Sequence, residues 1–156
     1  MKILKKLKIN KTILNNRICV SPMCQYSAVK GNPTNWHYNH LGKLMKAGAG
    51  MLMIESTAVS KQGMITEKDL SLFNKENYLS FKKLIIFLKR KSNTKIGLQI
   101  SHSGRKGSAL VPWIKSNHPI KNKKKSWTTF SASAIKRDSH WPSPRELSFI
   151  QIQKIV

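Results

Sequence analysis

The spacing of apolar residues along the chain is the feature that most restricts its fold. Three short runs are almost continuously apolar, and they predict strands near residues 17–21, 51–56 and 96–101. The segments between them carry apolar residues at helical spacing and predict helices near residues 37–47 and 75–91. Strands of this kind that alternate with amphipathic helices indicate a parallel sheet, with right-handed crossovers and both helices on one side. The predicted fold class is therefore α/β.

The last part of this order does not complete a sheet. An irregular stretch over about residues 104–142 precedes residues 143–146, Ser-Pro-Arg-Glu, which are typical of a helix start with a serine cap, a first-turn proline and a capping-box glutamate. Three parallel strands cannot close a barrel and leave two open edges. We therefore expect residues 1–156 to be the front part of a longer domain that stops within this helix. The apolar face of the helix would begin with Leu147, Ile150 and Ile155.

The strong positive charge leaves two classes of function open. The 156 residues include 29 Lys and Arg against 6 Asp and Glu, a net charge of +23. Such a charge can bind nucleic acid, but the lysines are spread over every segment. The densest cluster, Lys121–Lys125, has one aromatic neighbour, Trp127, and no recognisable RNA-binding signature. The scatter favours compositional drift, and a small basic nucleic-acid-binding protein remains the alternative.

Cysteine and histidine spacing argues against a disulfide framework and against a metal site. Cys19 and Cys24 are the only cysteines, and they do not form a metal-binding pattern such as CxxC. We therefore expect a reduced, cytoplasmic setting and no metal. His37 and His40 lie at a predicted helix start, where capping or packing is favoured over metal binding. No apolar run approaches the roughly 20 residues that a membrane span needs, so no membrane partner is expected.

Chemically reactive side chains follow the predicted strands. Ligands in parallel α/β folds bind at the carboxyl ends of strands. Cys24 and Tyr26 follow the first strand, Ser56 ends the second and Gln99 lies in the third. A single cysteine or tyrosine is more often a packing residue, whereas a buried amide such as that of Gln99 needs partners that a planar polar ligand would supply. We expect these four side chains to line one concave rim.

Three segments, each at a predicted strand, then carry a resemblance. They read NRICVSPMCQYSA, GAGMLMIESTAVSKQGMIT and IGLQISHSGRK, and the long loop adds SWTTFSASAIKRDSHWPSPREL. From about residue 8 onwards the chain resembles the old yellow enzyme family of flavin-dependent ene-reductases, and the cysteine and tyrosine after Pro-Met resemble its thermophilic-like or xenobiotic-reductase branch. The resemblance implies an FMN-binding TIM (β/α)8 barrel, of which this chain would form about three β/α units. It also implies NAD(P)H as hydride donor, an enone-type small-molecule substrate, and homo-oligomers among full-length relatives.

The resemblance also assigns roles to individual residues. Cys24 would lie near the flavin ring and tune its potential, Tyr26 would hydrogen-bond the substrate carbonyl, and Arg105 would brace the rim by ion pairing. The histidine pair, a later arginine and the phosphate-binding loops of the family do not occur in the 156 residues. We therefore expect this chain alone to bind FMN weakly or not at all and to be prone to aggregate. The residues expected to contact FMN are Ser21, Pro22, Met23, Cys24, Ser56 and Gln99.

Overall fold

Residues 1–154, which the computed structural model describes, form eight short strands and four α-helices. The strands are β1 (Leu7–Ile9), β2 (Thr12–Leu14), β3 (Cys19–Val20), β4 (Met51–Ala58), β5 (Leu70–Ser71), β6 (Lys95–Ser101), β7 (Phe130–Ser131) and β8 (Arg145–Glu146). The helices are α1 (Asn35–Met45), α2 (Lys75–Lys89), α3 (Pro112–Lys115) and α4 (Phe149–Gln153). An antiparallel hairpin of β1 and β2 precedes the main sheet.

The main sheet is built around β4. Strands β3, β5 and β6 all run parallel to β4, so the three predicted parallel strands are confirmed and β5 is an addition. Strand β6 pairs with both halves of β4, from Met51 to Ala58. The N-terminal end of β4 also pairs with β3, since Met51 lies opposite Cys19. Its C-terminal end pairs with β5, where Thr57 lies opposite Leu70. All carboxyl ends of these strands therefore lie at the same edge of the sheet.

Both long helices pack on one face of this sheet. Leu52 and Ile54 of β4 alternate with half-buried Met51 and Met53 and contact the buried faces of α1 and α2, as the two-residue repeat of a strand requires. The helices therefore lie on one side, as predicted. The buried helical residues in this core are Leu41, Met45, Phe81, Leu84 and Leu88.

Polar side chains set the starts of these helices. Thr34 precedes α1 and forms a capping box with His37, whose Nδ1 accepts a hydrogen bond of 3.0 Å from the Thr34 backbone N–H. Asn74 precedes α2, and its Oδ1 accepts a hydrogen bond of 2.8 Å from the Asn77 backbone N–H. The capping role expected for His37 is confirmed, and α1 begins two residues earlier than predicted.

The predicted helix start at residues 143–146 is wrong. The Arg145 backbone N–H donates to the Thr129 carbonyl at 2.8 Å, and this bond helps to hold β8 parallel to β7. Helix α4 begins after Ser148, whose hydroxyl and the Gln151 side chain form the capping box. Ladder hydrogen bonds to a distant segment outweigh the local capping signal at Ser143. Of the three residues predicted to form the apolar face of this helix, Leu147 lies before α4, Ile150 lies in it and Ile155 lies outside the described residues.

Strands β3 and β6 each have one neighbour, β4, among residues 1–154. Their outer edges are therefore open in this part of the chain. Ile18, just before β3, is 40% exposed, and Ile100 of β6 is 70% exposed. Open apolar edges of this kind favour pairing with other chains.

Candidate functional site

The loop after β3 begins at the common carboxyl edge of the sheet. Ser21 is exposed, Pro22 is half-buried, and half of the Met23 side chain surface is exposed. The Met23 carbonyl accepts a hydrogen bond of 2.8 Å from the Gln25 side chain. Tyr26 has a φ of 48°, in the left-handed region that tyrosine rarely adopts. The loop thus combines a sharp local turn with side chains that remain accessible.

Cys24, Tyr26 and the backbone of Ser56 meet at this edge. Burial and the carboxylates of Asp69 and Glu55 raise the pKa of the Cys24 thiol, while hydrogen bonds from the Ser56 backbone and the Tyr26 hydroxyl act in the opposite direction. Burial, together with the nearby Cys24, raises the pKa of Tyr26 to about 12. Both groups are therefore protonated at neutral pH, and the phenol is available as a hydrogen-bond donor.

Trp113, at the start of the short helix α3, packs against Tyr26. The ring centroids are 6.3 Å apart with an interplanar angle of 70°, an edge-to-face contact. Trp113 comes from the long loop after β6, and the sequence reasoning did not include it in the site. The Pro112 that begins α3 is the local signal that could have located this short helix.

Two buried polar side chains, Glu55 and His37, lie beneath the loop. The Glu55 Oε2 atom of β4 accepts a hydrogen bond of 2.7 Å from the backbone N–H of Gln25, between Cys24 and Tyr26. The Glu55 Oε1 atom lies 3.3 Å from Nε2 of His37 in α1, and both side chains are almost completely buried. A single carboxylate therefore contacts the loop and the first helix from the central strand.

Gln99 occupies the neighbouring strand but is not buried. It lies in β6 between Leu98, which is opposite Ile54, and Ile100, which is opposite Thr57, so it is level with Glu55 and Ser56 of β4. The side chain is exposed and makes no hydrogen bond among residues 1–154. The prediction that its amide is buried is wrong, because β6 is at the edge of the sheet in the described chain. Further along β6, the hydroxyl of Ser101 forms a hydrogen bond with the hydroxyl of Ser56 on β4.

Asp69 is a buried carboxyl group that the sequence reasoning missed. It accepts hydrogen bonds from the backbone N–H groups of Ile65 and Thr66 and from the Thr66 hydroxyl. Burial outweighs these bonds and raises the pKa of Asp69 to about 6. Its position in the β4–β5 connection places its charge close enough to raise the pKa values of Cys24 and Tyr26.

Other predicted features have different outcomes. Arg105 is exposed and has no acidic partner among residues 1–154, so its expected ion pairing is wrong. The Lys121–Lys125 side chains are exposed, while Trp127 is half-buried. Over the described part of the chain, no group of three or more His, Cys, Asp and Glu side chains is arranged to hold a metal ion. Within the same residues, no helix has the length and apolar character needed to cross a membrane.

Comparison with known proteins extends over the whole sequence. The model of the NADH:flavin oxidoreductase / NADH oxidase family matches residues 2–156. An NADH:flavin oxidoreductase of Gibberella zeae is 39% identical over 116 residues, which are 74% of this chain and 28% of that protein. An NADPH dehydrogenase of Listeria welshimeri is 37% identical over 157 residues, which are 99% of this chain and 41% of that protein. The chain therefore spans well under half the length of these curated relatives.

Solved structures show the same fold. A morphinone reductase structure superposes with a TM-score of 0.79 at 18% identity, and the match covers 98% of this chain and 41% of that one. An old yellow enzyme from Trypanosoma cruzi gives a TM-score of 0.75 at 21% identity and covers 97% of this chain and 44% of that one. These structures are TIM barrels, so the sheet and helices described above correspond to part of an α/β barrel.

Proposed function

Because the chain belongs to the NADH:flavin oxidoreductase / NADH oxidase family, we propose that it forms part of the active site of an FMN-dependent NAD(P)H oxidoreductase that reduces activated C=C bonds. The observation that carries the proposal is that the backbone N–H of Gln25, between Cys24 and Tyr26, is hydrogen-bonded to Glu55, the neighbour of Ser56, at the carboxyl end of the parallel sheet. This is the edge at which barrel enzymes of this class bind their ligands. Two free cysteines and a nicotinamide donor agree with a cytoplasmic location.

The polar groups at this edge fit a planar ring with hydrogen-bond donors and acceptors. The Gln99 carboxamide is exposed and unpaired among residues 1–154, and it is level with Ser56 on the next strand. When bound, FMN supplies the hydride chemistry, with NAD(P)H as the donor. We assign its contacts in this chain to Ser21, Pro22, Met23, Cys24, Ser56 and Gln99.

Tyr26 is the residue we assign to the substrate. Its raised pKa of about 12 keeps the hydroxyl protonated, so that it can donate a hydrogen bond to the carbonyl oxygen of an enone. Such a bond stabilises the negative charge that develops on this oxygen during reduction of the double bond. Trp113 packs edge-to-face against the ring of Tyr26. Cys24 contacts Tyr26 as a neutral thiol, because its pKa is also raised.

A chimaeric enzyme tests this proposal. Residues 1–156 would replace the matching 41% of the Listeria welshimeri NADPH dehydrogenase. We expect purified chimaera to carry flavin absorbance and to oxidise NADPH in the presence of an enone. Tyr26→Phe should lower kcat for enone reduction by about a hundredfold or more, the order of magnitude for loss of a donor at a developing oxyanion.

Tyr78→Phe is the matched control, since Tyr78 of α2 is 58% exposed and far from the site in the chain. A colourless chimaera beside a yellow parent, or equal kcat values for the two tyrosine variants, would contradict the proposal. Retention of the 156-residue chain on DNA, with affinity that falls steeply as salt rises, would support the nucleic-acid alternative instead.

A further inference from the structure

We propose that Glu55 and His37 are positioning residues that hold the Cys24–Tyr26 segment against the sheet from beneath. This inference rests on the proposed function, because the positions of Cys24 and Tyr26 matter for catalysis only if both belong to the active site. The sequence patterns that identify the rim include neither residue as a site residue, because neither side chain reaches the accessible edge. Both are nevertheless buried, and Glu55 hydrogen-bonds the backbone of the loop that carries the thiol and the phenol.

The cap of α1 fixes the orientation and the tautomer of the His37 ring. Nδ1 of His37 accepts from the backbone N–H of Thr34 at 3.0 Å, so the ring proton of the neutral histidine is on Nε2. That nitrogen lies 3.3 Å from Oε1 of Glu55, but the pair does not meet hydrogen-bond geometry, and neither atom has another hydrogen-bond partner among the described residues. The contact between the ring and the carboxylate is therefore electrostatic, and the helix cap determines which ring nitrogen lies beside the carboxylate.

The other oxygen of the same carboxylate is committed to the loop. Oε2 accepts the Gln25 N–H at 2.7 Å, a short bond to a charged acceptor. Glu55 is 3% exposed, so its carboxylate has little access to water and depends on the Gln25 N–H donor and on the nearby His37 ring. Loss of the carboxylate would leave the Gln25 amide unpaired, and the flanking residues Cys24 and Tyr26 would lose their anchor.

Glu55 also acts on the thiol through its charge. The groups that face Cys24 are Asp69 from the β4–β5 connection, Glu55 and the Ser56 backbone from β4, and Tyr26 from its own loop. The two carboxylates disfavour the thiolate, whereas the Ser56 and Tyr26 donors favour it. Neutralising Glu55 should therefore lower the pKa of Cys24, in addition to loosening the loop.

Alkylation of Cys24 by iodoacetamide tests the proposal without any cofactor. The Cys19→Ser chain leaves Cys24 as the one thiol, and rates measured against pH give its pKa. We expect Glu55→Gln to lower this pKa and to raise the rate at pH 8 at least about twofold, after allowance for the lower nucleophilicity of a more acidic thiol. Glu146→Gln makes the same charge change at exposed β8 and should leave the pKa unchanged. An unchanged pKa in folded Glu55→Gln protein overturns the proposal.

His37→Gln provides a second test if Glu55→Gln does not fold. We expect hydrogen exchange at the Gln25 amide to become at least about tenfold faster, because the carboxylate that accepts this proton is no longer held. Full protection of that amide in His37→Gln also overturns the proposal. Neither measurement involves FMN, NADPH or an enone, so a colourless chimaera would reject the proposed function and leave the positioning result to stand separately.

Discussion

Gly31 lies in the turn before α1 with a φ of +79°. A Cβ at this position would overlap the hydroxyl of Ser71, which is fully buried and donates a hydrogen bond to Asn77. We expect Gly31→Ala to lower the free energy of unfolding by about 2–5 kcal/mol, from left-handed backbone strain together with overpacking. Gly48 has a similar φ of +82° and nothing within 4 Å of the added methyl group, so Gly48→Ala should cost only about 1–2 kcal/mol. Urea unfolding of both variants measures the difference, and equal losses would rule out the clash.

Residue chemistry at the site was partly predictable. Cys24, Tyr26 and Ser56 could be predicted to lie at one edge because a parallel sheet brings the carboxyl ends of its strands there, and their roles stay a prediction. Trp113 was missed because the path of a long loop depends on contacts with distant residues, which no local pattern records. Asp69 was missed because a carboxyl group in a polar loop is usually solvated, and only the folded β4–β5 connection buries it.

The hydrogen bonds of Asp69 close the connection between β4 and β5. This buried carboxyl group should make the free energy of unfolding depend on pH. Asp69 has a folded pKa of about 6 against the ordinary 3.8, so the folded chain binds its proton more tightly than the unfolded chain does. Its contribution to stability is therefore complete below about pH 4 and is lost as pH rises to about 6, by about 3 kcal/mol in all.

Asp69→Asn should remove this component of the pH dependence. Unfolding free energies measured by urea at several pH values between 4 and 7 would show a flatter profile than that of the parent chain. Glu67→Gln changes an exposed carboxyl group two residues away and should keep the parental slope. A parental slope in Asp69→Asn would mean that the buried carboxyl group titrates normally.

The elements themselves were predictable to different degrees. Helices α1 and α2 follow from their apolar spacing, since local periodicity and burial agree there. The start of α4 was placed at Ser143 instead of Ser148, because the sequence offers two serine caps and a distant strand, β7, decides between them. Two-residue strands such as β5, β7 and β8 are too short for any pattern to reveal.

At the scale of the whole molecule, the open edge of β6 should promote self-association of the chain. Ile100 is 70% exposed there, and a lysine at an edge strand opposes pairing with another chain. We expect Ile100→Lys to increase the monomer fraction in size-exclusion chromatography with light scattering, without lowering Tm. Ile114→Lys is the control, because Ile114 of α3 is 67% exposed but lies outside any sheet. Equal gains from both variants would indicate that added charge alone prevents association.

The central position of β4 also governs the order in which this fold can be made on the ribosome. Strand β3 and the loop with Cys24 and Tyr26 are synthesised first, yet β3 has no partner until Met51–Ala58 has emerged. β6 is translated later still and pairs with the same strand. The nascent chain must therefore carry the Cys24 thiol on an unpaired segment while some thirty further residues are added. Contacts between residues this far apart in the sequence slow folding. A chaperone would therefore shield the exposed segment mainly during this interval.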